Sequence, residues 1–453
     1  MLQTVANTFR VPELRRRILI TVALLAFTRI GVYIPVPGVD LEAIGRIFDN
    51  LEQGSARALM GFVNIFSGGA LRNCAVFALG VMPYISASII FQLLVQVIPA
   101  LKRISEEGEA GRKKINQYTR YATVALCFFQ GSMMLGGFRS QMPDVFMPGF
   151  GGGMTLMAAL LMTTGTMLLM WVGELVDEYG IGNGISLIIM ANILARLPDA
   201  VRMLAEQFHF TMAPAEGQIG ILKLAFLLGM FVFVIIGIVL ITQGQRRIPF
   251  QQAKQMRGRK MYGGLKHYLP LQVNAANVIP IIFASSLLMF PGFIAQFLQQ
   301  RAGQGTFWRM MGNVLSDSLT PGAFVYTVVY VTLIFFFCYF WTAITFNPTD
   351  MAKNLQEHGS FIPGIRPGKR TADYLERVMT RITLPGAASL SLIAVIPSLL
   401  GSMLNLDYTI TQFFGGTSII IAVGVALDLV KKIESQLLVR HYDGFTRGRK
   451  KRF

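Results

Sequence analysis

The chain has 453 residues, of which 53% are hydrophobic and 14% are charged, and its formal net charge is +17. This composition excludes an ordinary water-soluble globular protein and is typical of an integral membrane protein, in which one helical bundle can take up the whole chain. A bilayer core of about 30 Å requires about 20 apolar residues for each helical span.

Ten apolar segments are candidate membrane spans. In chain order they lie near residues 18–38, 76–98, 121–138, 154–173, 183–197, 219–242, 276–297, 322–346, 383–403 and 410–430. The fifth segment is short, so hydropathy does not define where it ends. The basic run Arg15, Arg16, Arg17 precedes the first segment and no small-residue cleavage site follows it, so we expect no cleavable signal peptide.

Charge predicts the orientation of these spans. Ten spans place both termini on one side, which then has 31 of the 41 Lys and Arg residues and 14 of the 24 Asp and Glu residues, a net charge of +17. The other side has 9 basic and 10 acidic residues, and Arg29 lies within the first span. Positive charge accumulates on the cytoplasmic side, so we expect both termini in the cytoplasm. The basic residues concentrate in the loops 243–272 and 347–381 and in the C-terminal tail.

Two of the predicted spans contain the same motif. Residues 81–88 read VMPYISAS and residues 278–285 read VIPIIFAS, so VxPxIxAS occurs twice. A proline inside a helix removes a backbone hydrogen bond, and lipid offers no replacement partner. We therefore expect a broken helix at Pro83 and at Pro280, beside a cavity or another helix. Duplicated broken helices are typical of inverted-repeat membrane proteins with a pathway near the bilayer midplane.

The sequence gives little support to an enzyme or a metalloprotein. Cys74, Cys127 and Cys338 lie in or beside apolar spans without CxxC spacing and are interpreted as small buried hydrophobic residues. The four histidines fall in predicted loops without a partner at metal-ligand spacing, and no phosphate-binding GxxxxGK[ST] motif or HExxH motif occurs. We expect no catalytic site, no metal and no cofactor.

A secondary transporter is the main alternative to a channel, because inverted repeats with broken helices suit both. Ion-coupled transport usually needs ionisable groups at membrane depth. Such groups are few here: Arg29 is expected to snorkel toward one end of its span, and Glu174 and Asp428 fall at cytoplasmic ends. One helical arc of the second span carries Ile85, Ser88, Ile89, Gln92 and Gln96. This arc also fits a helix that simply packs against its neighbours.

Several sequence blocks closely resemble the SecY family, which forms the central subunit of the bacterial and plastid protein-translocation channel. In chain order the blocks are RIGVYIPVPGVD, FSGGALRNCAVFALGVMPYISASIIFQLL, GIGNGIS, QRRIPFQQAKQMRGRKMYGG, VNAANVIPIIFASS, NPTDMAKNL, GSFIPGIRPG and FFGGTSIII. The resemblance extends from about residue 9 to residue 445 in the right order. It does not include the 300–322 loop or the tail beyond Tyr442.

The resemblance implies an all-α polytopic membrane protein with ten transmembrane helices in two inverted five-helix halves around an hourglass pore. Helices 1 to 4, with a plug at 60–73, would occupy residues 1–180, and helix 5 with the hinge between the halves would occupy residues 181–212. Helices 6 to 10 would occupy residues 213–430, followed by a basic cytoplasmic tail at 431–453.

The resemblance also implies a pore ring through which a polypeptide passes. Its residues would be Ile85, Ile89, Ile189, Ile193, Ile282 and Ile421. The motif GxSxII, which occurs in GNGISLII and in GGTSIII, aligns Ile189 with Ile421 as a second internal repeat. A ring of branched apolar side chains can dewet when empty and yield around a passing chain. Asn192 stands beside the ring and is expected to wet the constriction.

A plug and a lateral gate complete the implied site. The plug would include Met60, Gly61, Phe66, Gly68, Gly69, Leu71, Arg72 and Asn73, and its glycines favour a short mobile segment over a stable helix. Helices 2 and 7 would form the gate, with Ser88, Gln92, Asn277 and Ser285 as its polar residues. We expect a hydrogen bond between Gln92 and Asn277 to hold the gate shut, at a cost of only about 1 kcal/mol to break.

The implied partners dock on the cytoplasmic loops and in the membrane. The docking residues would be Arg246, Arg247, Arg257, Arg259, Lys260 and Arg366. They would receive the SecA ATPase and the ribosome, whose RNA phosphates attract Lys and Arg. SecE-like and SecG-like small membrane subunits, signal sequences, nascent polypeptides and membrane lipids are the other expected partners. The expected location is the bacterial inner membrane, with the plastid thylakoid as the alternative.

Overall fold

The computed structural model describes residues 11–41, 43–45, 55–141, 146–147, 151–210, 219–252, 255–257, 260–262, 266–301, 307–319, 323–404 and 408–449. Within these ranges the chain is mainly helical, and each of the ten predicted spans contains a helix.

The helices described in the first half of the chain are α1 (Pro12–Ile30), α2 (Ser55–Phe66), α3 (Met82–Val97), α4 (Pro99–Glu106), α5 (Glu109–Gln141), α6 (Gly152–Tyr179) and α7 (Gly184–Gln207). Helix α7 continues ten residues beyond the predicted end of the fifth span and contains Pro198. Helices α3 and α4 meet at an angle of 99°. Ile98 is extended there, with φ −95° and ψ 113°, as expected for a residue that precedes a proline.

The helices described in the second half are α8 (Ile221–Gln243), α9 (Ile279–Arg301), α10 (Phe307–Ser318), α11 (Phe324–Thr345), α12 (Pro348–Glu357), α13 (Lys369–Met403), α14 (Tyr408–Phe414) and α15 (Thr417–Arg449). Helix α15 passes through the predicted boundary at residue 430, so residues 431–449 of the basic tail continue the last helix.

The two VxPxIxAS motifs begin helices and do not break them. Helix α3 starts at Met82 and α9 starts at Ile279, so Pro83 and Pro280 lie in the first helical turn. A backbone N–H in that turn has no intrahelical partner, so proline costs no hydrogen bond there. The prediction of broken helices at these two prolines is therefore wrong.

Length and apolar composition identify seven helical segments that could cross a membrane in the described part of the chain, or eight if α3 and α4 count as one bent span. The apolar part of α9, Ile279–Gly292, is shorter than these segments. Helix α1 carries five charged residues among its 19. The ten-span count therefore stays a prediction, while the multi-pass character of the chain is clear.

The loops 243–272 and 347–381 contain strands that hydropathy did not predict. Strands β1 (Gln245–Gln252), β4 (Lys266–Gln272) and β5 (Ser360–Phe361) form an antiparallel sheet in the order β4-β1-β5. Strands β2 (Gln255–Arg257) and β3 (Lys260–Tyr262) form a separate two-stranded ribbon. The two loops predicted to dock partners are therefore joined by strand pairing.

The apolar interior divides into two clusters. The larger cluster runs through the helical bundle and takes side chains from both halves of the chain. The smaller cluster lies under the sheet and consists of Ile248, Leu271, Ile362, Leu375, Val378, Met379 and Ile382. The sheet and the first part of α13 thus form a compact unit at one end of the bundle.

Candidate functional site

The isoleucines predicted for the pore ring are all buried in the larger apolar cluster. They are Ile85 and Ile89 on α3, Ile189 and Ile193 on α7, Ile282 on α9 and Ile421 on α15, each at most 5% exposed. On α3 and on α7 the two isoleucines are four residues apart, which places them one above the other on the same helix face. Four helices therefore contribute branched apolar side chains to one continuous interior.

The two copies of the repeated motif share a local hydrogen bond. The Ile85 amide donates to the Val81 carbonyl over 3.1 Å, and the Ile282 amide donates to the Val278 carbonyl over 3.3 Å. Val81 and Val278 are equivalent positions of the motif, as are Ile85 and Ile282. Both isoleucines are therefore held in the first turn of a helix by the same bond, which supports an internal repeat.

A cavity of about 210 Å³ lies next to the buried isoleucines. Its lining comes from the start of α7, the start of α9 and the middle of α15, and it includes Ile282 and Asn277. The Lys432 ammonium and the Asp428 carboxylate, which both line the cavity, are 3.5 Å apart. The cavity thus joins a charged rim to the apolar cluster.

The acidic residues considered for transport are paired with basic side chains. Asp428 has Lys432 as its partner, and the two Glu174 carboxylate oxygens each accept from the Arg120 Nη2 over 2.6 Å. The Arg120–Glu174 contact joins α5 to α6, and both side chains are partly exposed. These carboxylates therefore fit structural ion pairs better than coupled proton or cation sites.

The predicted plug is helical as far as Phe66, so the expectation of a mobile segment without a stable helix is wrong for residues 60–66. Met60 and Gly61 lie inside α2, and Phe66 is fully buried. The helix ends in a left-handed turn with φ +67° at Gly68 and +93° at Gly69. The Gly68 amide donates to the Ile65 carbonyl over 3.1 Å and the Gly69 amide to the Asn64 carbonyl over 2.8 Å. This is a Schellman ending, in which the glycines stop the helix.

The rest of the plug is fixed by polar contacts. The Asn73 side-chain amide donates to the Val32 carbonyl over 3.1 Å, and the Arg72 backbone amide donates to the Asn64 side-chain oxygen over 3.1 Å. Leu71 is 2% exposed and belongs to the larger apolar cluster. The plug is therefore packed into the bundle and bonded to residues that follow α1.

Arg29 points into the bundle and does not snorkel toward a helix end, which corrects the prediction. Its guanidinium donates to the Asn192 side-chain oxygen. The Asn192 side-chain amide donates to the Phe66 carbonyl over 2.8 Å. Asn192 is 2% exposed, and its side chain makes both hydrogen bonds inside the protein. In this structure it therefore joins Arg29 to Phe66 and does not wet the constriction, contrary to the prediction from the sequence. The three residues form a polar chain from α1 through α7 to the end of α2.

Arg196 is a further residue at the plug that sequence reasoning missed. Its guanidinium is 2.5 Å from the Asp199 carboxylate. A Cβ atom placed on Gly69 would lie 3.3 Å from the Arg196 Cδ and Nη1 atoms. Arg196 lies one helical turn beyond Asn192, and residues at i, i+4 spacing share a helix face. This spacing could have identified Arg196 from the sequence as a second polar residue on the face of Asn192.

The polar residues predicted for the lateral gate make local hydrogen bonds. Gln92 donates to the Ser88 hydroxyl of its own helix over 3.2 Å, and the Ser285 hydroxyl donates to the Ile281 carbonyl over 2.8 Å. The Asn277 carbonyl accepts from the Asn274 side chain over 2.7 Å. The expected Gln92–Asn277 bond is therefore not formed in this structure: the Gln92 amide group donates to Ser88, and Asn277 is bonded through its backbone carbonyl.

A different contact joins the two gate helices. The Ser286 hydroxyl on α9 is 4.0 Å from the Met82 sulfur at the start of α3, and both side chains are buried. A thioether is a weak hydrogen-bond acceptor, and the Ser286 hydroxyl also donates its single proton to the Ile282 carbonyl over 2.7 Å. The polar contact described between α3 and α9 is therefore a weak one.

The predicted docking residues divide into three groups. Arg246 and Arg247 are exposed on β1. Arg257 on β2 is the backbone pairing partner of Lys260 on β3, and Arg259 lies outside the described residues. Arg366 is exposed in the turn between β5 and α13.

The turn that carries Arg366 is tightly defined. Gly364 and Gly368 have φ of +84° and +98°. The Arg366 carbonyl accepts from the Thr371 hydroxyl over 2.9 Å. Because the backbone is fixed and the side chain is exposed, the Arg366 guanidinium is available to a partner of opposite charge.

The three predicted cysteines of the interior, Cys74, Cys127 and Cys338, are free and buried, which confirms their interpretation as small hydrophobic residues.

Comparison with known proteins gives a consistent result along the chain. A family model described as SecY matches residues 75–430. The protein translocase subunit SecY of Streptomyces scabiei is 43% identical over 99% of this chain and 100% of its own length. That of Chlamydia muridarum is 44% identical over 97% of both chains.

Solved structures agree with this fold. A protein-conducting channel covers 94% of this chain and 92% of its own with a TM-score of 0.56 at 18% identity. The idle yeast Ssh1 complex bound to the yeast 80S ribosome gives a TM-score of 0.62 at 15% identity, over 92% of this chain and 89% of its own. The shared architecture is that of an all-α polytopic membrane protein.

Proposed function

This chain belongs to the SecY family, and we propose that it is a protein-conducting channel that passes unfolded secretory polypeptides across a membrane and releases hydrophobic segments sideways into lipid. The observation that carries the proposal is the match to proteins named protein translocase subunit SecY over essentially the full length of both chains. The channel has no catalytic chemistry of its own, and partners supply the energy.

The six buried isoleucines form the constriction of this channel. Apolar side chains from α3, α7, α9 and α15 meet in one cluster, which supports a seal that excludes water and ions when the channel is empty. The cavity beside Ile282 and Asn277 forms part of the entrance on the cytoplasmic side. The plug segment at 60–73 covers the constriction from the opposite side.

Helices α3 and α9 form the lateral gate. The weak Ser286–Met82 contact supports this role, because a gate needs an interface that opens at low cost. Ser88, Gln92, Asn277 and Ser285 line the opening, with Gln92 and Ser285 released from the bonds that they make within their own helices.

The sheet unit formed by the loops 243–272 and 347–381 is the docking surface for driving partners. Exposed Arg246, Arg247 and Arg366 suit acidic or phosphate-rich surfaces, so a ribosome or a SecA-type ATPase docks there. One structural neighbour is described as Sec61 in a canine ribosome-channel complex. SecE-like and SecG-like small subunits complete the complex, signal sequences and nascent polypeptides enter it, and membrane lipids surround it.

The chain is an integral multi-pass membrane protein, with ten spans and both termini in the cytoplasm. The excess of positive charge on one side supports this orientation. Curated relatives in Streptomyces, Chlamydia and Mycobacterium support the bacterial inner membrane as its location.

Reconstitution tests the proposed function. The full chain with its small subunits and SecA is placed in vesicles with a secretory polypeptide and ATP. We expect the polypeptide to become protected from added protease and to crosslink to the ring positions when it is stalled. Saturable uptake of a small solute without polypeptide transport would instead establish the secondary transporter.

A further inference from the structure

We propose that Arg29 and Asn192 form a latch that holds the plug segment (60–73) in the closed channel and sets how readily it leaves. This inference rests on the proposed role of the plug. The latch is the polar chain from the Arg29 guanidinium to the Asn192 side-chain oxygen, and from the Asn192 amide to the Phe66 carbonyl.

Asn192 completes the C-terminal end of α2. A helix leaves its last four carbonyls without intrahelical partners. Here the Val63, Asn64 and Ile65 carbonyls accept from the backbone amides of residues 67–69 within the plug. The fourth carbonyl, that of Phe66, accepts from Asn192 on α7 over 2.8 Å. This bond can therefore break without unfolding α2, whereas the other three belong to the helix ending itself.

Arg29 fixes the direction in which Asn192 donates. An amide side chain has an accepting oxygen and a donating nitrogen, and a guanidinium can only donate. With its oxygen bonded to Arg29, Asn192 must present its NH₂ group to the Phe66 carbonyl. The positive charge also lies at the C-terminal end of α2, where the helix dipole favours a cation.

Gly68 makes room for this arrangement. A Cβ atom on Gly68 would lie 2.7 and 2.8 Å from the two terminal nitrogens of Arg29 and 3.0 Å from the Asn192 side-chain oxygen. Gly68 also has φ +67°, which disfavours other residues. The glycine therefore both ends the plug helix and admits the guanidinium against it.

The latch is weak enough to be reversible. A single amide–carbonyl hydrogen bond changes an equilibrium by roughly 2- to 12-fold. Such a bond biases the plug toward the closed position and still lets an entering signal sequence displace it. Asn192 and Phe66 are buried, and Arg29 is partly buried. A displaced plug therefore leaves the buried Asn192 amide without its carbonyl partner, and the cost of this unsatisfied donor favours the return of the plug when the channel empties.

The test compares full-length variants with one another, each assembled with its small subunits in lipid nanodiscs. Asn192→Leu removes the donor to Phe66, and Arg29→Met removes the group that orients it. Arg202→Gln is the matched control, because Arg202 lies on the same helix, is 81% exposed and pairs with Glu206 on the surface. Hydrogen exchange of the amides in residues 61–72 reports plug release, and amides of α6 report unfolding elsewhere.

We expect exchange in residues 61–72 to rise about 2- to 12-fold in Asn192→Leu, to rise less in Arg29→Met, and to match the unmodified protein in Arg202→Gln. If Asn192→Leu also raises exchange in α6, that variant is unfolded and Arg29→Met decides. Unchanged exchange in the folded variants overturns the latch.

Ion conductance in planar bilayers separates the latch from the role of the plug. We expect Asn192→Leu to leak more than the unmodified channel and less than a variant lacking residues 60–73. A leak in the deletion variant alone, together with unchanged exchange in Asn192→Leu, overturns the latch and keeps the plug. If exchange is faster in Asn192→Leu but neither this variant nor the deletion variant leaks, the latch is kept and the proposed sealing role of the plug is overturned.

Discussion

At the scale of single residues, the turn between α6 and α7 leaves no room for a side chain at its glycine positions. The Asp177 carboxylate accepts from the Gly184 amide over 2.8 Å, and the Asn183 side chain caps α7 by accepting from the Ser186 amide over 3.0 Å. A Cβ atom on Gly184 would lie 1.9 Å from the Gly173 carbonyl oxygen. The GIGNGIS motif is therefore a helix–helix turn with a backbone contact, and its glycines serve packing.

Gly184→Ala is expected to destabilise the protein by about 1–3 kcal/mol, because the new methyl group must displace backbone atoms. The midpoint of thermal unfolding in detergent measures the effect. Gly229→Ala is the matched control: Gly229 is helical and exposed, with no atom within 4 Å of an added Cβ, so this variant should keep or slightly raise the midpoint. Equal midpoints for both variants would contradict the backbone contact.

Arg366→Glu should abolish SecA-driven translocation while the thermal midpoint stays unchanged, because the side chain is exposed on a fixed turn. Arg370→Glu, an equal charge reversal at an exposed position one residue into α13, is the control and should retain most activity. ATP-dependent protection of a secretory polypeptide in vesicles is the measurement. Normal export by Arg366→Glu would remove this residue from the docking site.

At the scale of secondary-structure elements, contacts between segments far apart in the sequence hold one end of the bundle together. Strand β5 from the second loop pairs with β1 of the first loop, with Gln251 opposite Phe361. Lys431 on α15 donates to the Thr242 carbonyl at the end of α8 over 3.2 Å. A cation at a helix C-terminus is stabilising. The first contact thus joins the two loops of the sheet unit, and the second joins α15 to the helix that leads into the sheet.

Ile248→Asp should open the sheet unit without disturbing the membrane helices, because it places a carboxylate in the smaller apolar cluster, where Ile248 is 2% exposed. Limited trypsin digestion should then cut faster at Arg246, Arg247 and Lys266, while the bundle fragments remain intact. Gln245→Asp, at an exposed position of the same strand, is the control. Unchanged cleavage in Ile248→Asp would show that the sheet does not depend on this cluster.

Hydropathy was sufficient to locate a helix in each of the ten predicted segments, because the apolar residues of a span are contiguous in the sequence. It failed for β1 and β5, whose pairing joins residues more than 100 positions apart. The prediction of helix breaks at Pro83 and Pro280 failed for another reason. A proline in the first turn and a proline inside a helix cannot be distinguished in the sequence until the start of the helix is known.

The candidate site, like the fold, could be predicted from the sequence only in part. The six isoleucines followed from motif and resemblance, and the structure buries all of them. The direction of the Arg29 side chain depends on how α1 faces α7, which a single sequence does not encode locally. Whether Gln92 bonds to Asn277 likewise depends on how α3 faces α9. Here the Gln92 side chain donates to Ser88 of its own helix, and the Asn277 backbone carbonyl accepts from Asn274.

At the scale of the whole molecule, two basic segments lie together at one end of the bundle. The Lys431–Thr242 contact places the basic end of α15 beside the end of α8, which leads into the sheet unit. The ten-span count predicts that this end is cytoplasmic. Reporter fusions after residues 110, 260, 365 and 445 should therefore report cytoplasm, and fusions after residues 60, 145, 210, 310 and 405 the opposite side. Alkaline phosphatase and a cytoplasmic reporter at the same junctions provide reciprocal controls. A phosphatase signal at residue 260 would contradict the ten-span arrangement.

The seal is the central property of the proposed channel, and ion conductance in planar bilayers tests it most directly. Replacing Ile85, Ile282 and Ile421 together by Asn hydrates the constriction, and deleting Met60 to Asn73 removes the second barrier. We expect the combined variant to conduct ions without any substrate, and each change alone to leak less, because either barrier partly covers for the other. If the combined variant stays electrically silent while it still exports protein, these isoleucines are ordinary helix packing and the pore lies elsewhere.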